Sequence, residues 1–139
     1  MFRQLEDGVA VSPQITPDDV ASAASLGYGL IVSNRPDGEE AGQPSAAEIE
    51  AAAQAAGLSF LHLPFAAGGP TPEQVDAMAA ALDAQAREER PLLAYCRSGT
   101  RSATLWALAR ARQGGEADPL IAAAQAAGYD LEALRPRLR

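Results

Sequence analysis

Pro91-Leu92-Leu93-Ala94-Tyr95-Cys96-Arg97-Ser98-Gly99-Thr100-Arg101-Ser102-Ala103-Thr104-Leu105-Trp106-Ala107-Leu108 is the stretch that decides how this chain is read. Leu92 to Tyr95 is a short apolar run, the pattern of a buried strand. From Ser102 onward, Leu105, Trp106 and Ala109 fall at helical spacing. Between the two lies a tight polar turn that begins at Cys96. The amides of such a turn converge at a helix N-terminus, where they favour anions, a thiolate included. A lone cysteine is often a small core residue. Here its neighbours are Arg97, Ser98, Gly99, Thr100, Arg101 and Ser102, and a core does not accept two arginines in so short a span. Cys96 therefore reads as a reactive thiol. Gly99 fits a position of positive φ or close backbone approach. Arg101 can fork onto an oxyanion, and Ser102 can cap the helix or hydrogen-bond the thiolate.

The rest of the chain alternates in the same way. Val9 to Ser12 reads as a short edge strand. Thr16-Pro17-Asp18-Asp19 starts a helix with a capping hydroxyl, a proline in the first turn and acids at the positive end of the dipole. Tyr28 to Ser33 is the next strand, emptying into the polar loop Asn34 to Glu40. Ser45-Ala46-Ala47-Glu48 is a capping box that opens an alanine-rich helix ending at Gly57. Leu58 to Leu63 is a strand, and Ala66 to Pro70 a loop. Thr71-Pro72-Glu73-Gln74 starts a long helix. After the Cys96 turn a helix runs to Gln113, and Gly114-Gly115 breaks the chain. Asp118-Pro119 opens a further helix ending at Gly128, and Asp130 caps a last short one. This order predicts an α/β fold, a central and mostly parallel sheet of four to five strands flanked by helices, as one domain over residues 1–139. Ligands of such sheets bind beyond the carboxyl ends of the strands. The loops 34–40, 64–70 and 96–101 leave those ends and are expected to meet around one pocket.

Composition narrows the chemistry. Hydrophobic residues make up 47 % and charged residues 21 % of the 139, an ordinary globular balance. No apolar run is long enough to cross a membrane and the first residues hold no signal-peptide core, so a cytoplasmic protein is expected. The net charge is −7, and all 11 basic residues are arginine. An acidic domain is a poor match for nucleic acid or an anionic membrane. The absence of lysine excludes Schiff-base chemistry and lysine-based phosphate loops. One cysteine and one histidine fall short of the usual Cys/His metal sites, and no cofactor is expected.

Cys-x-x-Gly followed by Arg-Ser at the head of a helix resembles the active-site loop of cysteine-dependent protein phosphatases. Those loops carry one more residue between cysteine and arginine, and a histidine usually precedes the cysteine. Here four residues separate Cys96 from Arg101, and Tyr95 stands before the cysteine. A loop of this shorter size is similar to that of rhodanese sulfurtransferases. Ser33-Asn34-Arg35-Pro36-Asp37-Gly38-Glu39, His62-Leu63-Pro64 and the Cys96 to Ser102 loop with Leu105-Trp106-Ala107-Leu108 together resemble the phosphatase-like domain of bacterial beta-lactamase-hydrolase-like proteins, a family also labelled as sulfur transferases. The resemblance implies a protein-tyrosine-phosphatase-like fold.

Loop size and proton supply separate the two reactions. Phosphoester cleavage by a thiolate benefits from an acid that protonates the leaving alkoxide, a contribution of roughly 100- to 10,000-fold. In dual-specificity phosphatases an aspartate on the loop after a central strand supplies it. Pro64 to Pro70 holds no carboxylate; Asp37, Glu39 or Glu40 could substitute. Sulfane-sulfur transfer through a Cys96 persulfide needs no acid, because its leaving groups are stable anions. Sulfur transfer is therefore the first reading. A phosphatase working through a Cys96 phosphocysteine is the alternative, and an anion-binding pseudo-enzyme the third. The expected catalytic pair is Cys96 and Arg101. Arg97, Ser98, Gly99, Thr100, Ser102 and Arg35 are expected to bind substrate, with Asp37 a possible acid. The expected substrate is a small anion (thiosulfate, a persulfide or a phosphoester), and the expected acceptor a thiol. His62 reads as a hydrogen-bonded structural residue, Trp106 as core, and Arg110 and Arg112 as surface.

Overall fold

The computed structural model describes residues 2–138; Met1 and Arg139, the two ends of the expected domain, lie outside the described residues. Two short strands come first, β1 (Arg3–Glu6) and β2 (Val9–Ser12), then α1 (Pro17–Ser25), β3 (Leu30–Ser33), α2 (Ala46–Ala55) and β4 (Ser59–His62). The chain continues through α3 (Pro72–Glu88), β5 (Leu92–Tyr95), α4 (Thr100–Arg112) and α5 (Ala117–Ala126) to a 3₁₀ turn over Glu132–Arg137. The strands form one sheet in the order β1-β2-β5-β3-β4. All pairings are parallel except β1 with β2. The fold is thus the expected α/β one.

Strands covered on both faces show no polar alternation, because both sets of side chains enter a core. All four residues of β2, β3 and β5 are buried. Val9, Val11, Leu30, Val32, Leu92 and Ala94 face the core built with α3, α4 and α5. Ala10, Ile31, Leu93 and Tyr95 face the smaller core built with α1 and α2. Three helices begin where their capping boxes place them, at Thr16, Ser45 and Thr71. Each satisfies two orphan amide groups within its own first turn.

Two expectations need correction. Val9–Ser12 is not an edge strand; it lies between β1 and β5, and β1 is the edge. Arg-Gln-Leu-Glu is too polar to look like a strand, but Asp7-Gly8 is a two-residue hairpin turn with Gly8 at φ 81°. Side chains tie this strand to α4: Glu6 accepts from Trp106 Nε1 at 2.8 Å and from Arg110 Nε at 2.7 Å. The second concerns α4, which starts at Thr100 with Gly99 as its cap, so Ser102 lies inside the helix and caps nothing. Trp106 is core as expected, 1 % exposed.

The register places the site. Ser12 and Ser33 both pair with Tyr95, and His62 pairs with Ser33. The four parallel strands therefore end on one level, and the loops after Ser12, Ser33, His62 and Tyr95 open at the same edge of the sheet. No helix among the described residues is long and apolar enough to cross a membrane.

Candidate active site

Cys96 is the first residue past β5, and its side chain is fully buried at the base of the turn. Its amide donates to Ser12 O at 3.4 Å, which keeps the loop in line with the sheet. Gly99 turns the chain with φ 101°, and its N–H donates to Cys96 Sγ at 3.0 Å. A side chain at Gly99 is excluded twice, by that φ and because a Cβ would run into the Tyr129 hydroxyl. The hydroxyls of Ser98 and Thr100 hydrogen-bond each other at 3.1 Å on the exposed rim, beside the exposed Arg97. Burial raises the Tyr95 hydroxyl pKa, so the residue before the thiol is an uncharged ring instead of a titrating imidazole.

Arg101 brings the three loops together. From the first turn of α4 its Nη1 and Nη2 grip Glu39 at 2.9 and 2.8 Å, and Nη1 also donates to Phe65 O at 3.0 Å. Loops 34–40, 64–70 and 96–101 thus meet at one guanidinium, as expected. The hydrogen bond to Glu39 raises the Arg101 pKa against partial burial, and the nearby Cys96 charge adds to it. The Arg101 hydrogen bond, opposed by desolvation and reinforced by Arg35, holds the Glu39 pKa down to about 2.

Arg35 stands on the other side of Glu39. It is 2 % exposed, and each of its nitrogen groups is engaged. Nε donates to Glu39 at 2.9 Å, Nη1 to Gln14 at 2.9 Å and Nη2 to Glu40 at 2.9 Å. This geometry ties Arg35 into the loop, with each of its three nitrogens already bonded to a side chain of the protein. Asp37 accepts from the Ala46 amide at 2.8 Å and so braces the start of α2. Ser102 is buried and donates to Asn34 Oδ1 at 2.8 Å, which stitches α4 to the loop after β3. His62 Nε2 lies 3.1 Å from Arg35 O, the structural role expected of it.

Sequence reasoning missed Gln14, Asn34 and Tyr129. Gln14 ends Arg35 and receives the chain beside Arg97, its amide donating to Arg97 O at 3.2 Å. Tyr129 hydrogen-bonds Ser98 O at 3.1 Å from far along the chain. No local pattern marks such contacts. A cavity of about 540 Å³ lies at the opposite edge of the sheet, among Gly8, Leu26, Tyr28, Arg90 and Leu92, and Cys96 is not part of its lining.

The family profile of the beta-lactamase hydrolase-like protein, phosphatase-like domain, matches residues 1–115. The chain belongs to this family. A beta-lactamase hydrolase-like protein of Xylella fastidiosa is 34 % identical over 128 residues, 91 % of this chain and 29 % of that protein. One from Agrobacterium fabrum is 38 % identical over 106 residues, 76 % of this chain and 23 % of that protein. The chain spans less than a third of these curated relatives. A Neisseria meningitidis structure with a provisional phosphatase assignment is 41 % identical, with a TM-score of 0.82, covering 99 % of this chain and 95 % of its own. Tk-PTP shares the fold with a TM-score of 0.76 at 19 % identity, covering 99 % of this chain and 92 % of its own. The phosphatase-like domain read from the sequence is thus the family found. These relatives support a cysteine-based, phosphatase-like family, and they back the phosphatase alternative better than sulfur transfer, the first reading from loop size.

Proposed function

We propose that this chain is a cysteine-dependent phosphatase for small anionic phosphoesters. The observation that carries the proposal is the Cys96 turn itself. Its thiol receives the Gly99 amide at 3.0 Å, under an arginine whose paired donors face one carboxylate at 2.8 and 2.9 Å. A fork that holds two carboxylate oxygens can hold two phosphoryl oxygens with the same spacing. Cys96 Sγ attacks phosphorus, the ester oxygen leaves with its bonding pair, and Arg101 steadies the charge spread over the remaining oxygens. Water then cleaves the S–P bond, which releases phosphate and the thiolate. Substrate displaces Glu39 from Arg101 as it enters. PTPMT1, a fold neighbour at 17 % identity, is seen with PI(5)P, which supports phosphoesters as a class. The net charge of −7 disfavours densely charged polyanions and leaves monoesters as the better fit.

Nitrophenyl phosphate is the direct test. Wild type should release nitrophenol and Cys96→Ser should release none. Sulfur transfer is kept as a second reading for one reason: Glu39 and Glu40 are bound by arginines and Asp37 by the α2 amide, so no carboxylate here stands free as a proton donor. If thiosulfate adds one sulfur to the Cys96 thiol while nitrophenyl phosphate is untouched, sulfur transfer replaces the phosphatase reading.

A further inference from the structure

The soft point of the Cys96 turn is the peptide unit between Ser98 and Gly99. Its N–H is the hydrogen-bond donor to Cys96 Sγ, at 3.0 Å. A peptide is planar, so its carbonyl must point the opposite way. Glycine takes positive and negative φ with similar ease, so nothing local prevents this unit from turning over. A turned peptide would aim a carbonyl oxygen at the sulfur in place of a donor.

The carbonyl end is held from outside. Tyr129 Oη donates to Ser98 O at 3.1 Å. The ring reaches that point by local geometry. Helix α5 ends in a Schellman pattern, Gly128 N to Gln125 O at 2.9 Å and Tyr129 N to Ala124 O at 2.9 Å, with Gly128 at φ 99°. That reversal turns Tyr129 back onto the sheet. It is 5 % exposed, and the Arg3 guanidinium lies 5.1 Å from its ring centroid. Burial raises the Tyr129 hydroxyl pKa, so it stays protonated and donates. The same hydroxyl occupies the space where a side chain at Gly99 would go.

We propose that Tyr129 is a positioning residue for the nucleophile: by holding the Ser98 carbonyl outward it aims the Gly99 N–H at Cys96 Sγ. Tyr129 lies outside the 1–115 segment matched by the family profile, so the C-terminal part of the chain completes the active-site turn. This rests on Cys96 being the nucleophile of the proposed reaction.

Tyr129→Phe removes the hydroxyl and keeps the ring. Three readouts are expected to move together while the melting temperature stays within a few degrees. The Gly99 amide resonance should shift in a nitrogen–proton correlation spectrum, with those of α3 unmoved. Iodoacetamide alkylation of Cys96 at one fixed pH should slow about 3- to 10-fold, the scale of one lost hydrogen bond. The kcat for nitrophenyl phosphate should fall by a similar factor with KM within about twofold. An unchanged Gly99 resonance with unchanged alkylation overturns the proposal. If wild type does not hydrolyse the ester at all, the phosphatase reading fails, and the first two readouts still decide the role of Tyr129.

Discussion

Loop 34–40 and the Cys96 turn each present an arginine to Glu39, and the two arginines differ in almost everything else. Arg35 has a side chain 1 % exposed and spends its donors on Glu39, Glu40 and Gln14. The Arg101 side chain is 22 % exposed and directs its paired donors at Glu39 alone among side chains. The first is committed on every side, so releasing it would bury an uncompensated charge. The second faces a single carboxylate at the mouth of the turn that holds Cys96, the one the proposed substrate would displace. Identical side chains around one acid thus divide by burial into a structural clamp and a partly exposed group, the one proposed to bind substrate.

Breaking the binding side should have the largest effect. Arg101→Ala is expected to lower kcat/KM for nitrophenyl phosphate by about 100- to 1,000-fold, the scale of one oxyanion donor. Arg101→Lys should recover little, because an ammonium cannot bond two oxygens in one plane. Equal loss of folding stability in both variants would erase the contrast with Arg35. Breaking the structural side should act on stability instead. Arg35→Ala is expected to lower stability by about 1 to 3 kcal/mol in urea denaturation, since it removes a buried side chain and its hydrogen bonds to Gln14, Glu39 and Glu40. A stable Arg35→Ala protein with weakened phosphate binding would make Arg35 a substrate contact after all.

Glu39 sharpens the comparison through pH. Its folded pKa, about 2, lies below the 4.5 of the unfolded chain. The stability it contributes is complete above about pH 4.5 and is lost as pH falls through 2. Glu39→Gln should therefore flatten the change in urea midpoint between pH 5 and pH 3. It should also tighten inorganic phosphate about 3- to 10-fold, read by the phosphate dependence of the melting temperature, because Arg101 gives up a neutral amide more readily than a carboxylate. Weaker phosphate binding would mean that Glu39 orients Arg101 more than it competes. Asp37 should show the smallest effect. Asp37→Ala loses the contact to the Ala46 amide, worth about 1 kcal/mol as a helix cap. Nitrophenyl phosphate turnover should stay within about twofold; a fall confined to esters with poor leaving groups would restore Asp37 as the acid.

Much of the fold was legible because its signals are local. Capping boxes at Thr16, Ser45 and Thr71 lie within four residues each, and every one is formed. The strand before Cys96 and the helix after it follow from adjacent residues. Failures came where a residue's neighbours in space lie far away in sequence. Arg3–Glu6 is polar and becomes a strand because Val9–Ser12 and the Trp106 indole give it partners. Ser102 looked like a cap, but Gly99 turns the chain early enough to place the helix start at Thr100. Arg35 beside a Pro-Asp-Gly turn reads as a substrate contact; in the structure it is buried against Gln14, Glu39 and Glu40 and ties the loop together.

By itself the sequence determined the strand-turn-helix that carries Cys96, the proposed nucleophile, the alternation that makes a parallel sheet, and the family whose motif it carries. Those rest on bonded neighbours and on hydrophobic periodicity, which act over a few residues. Tertiary structure decided which arginine is buried and which is partly exposed, which carboxylate they share, and that Tyr129 reaches Ser98 from 31 residues downstream. Those depend on burial and on charges meeting across loops from different strands. A linear pattern holds no record of such meetings until the register of β2, β5, β3 and β4 brings their ends to one level.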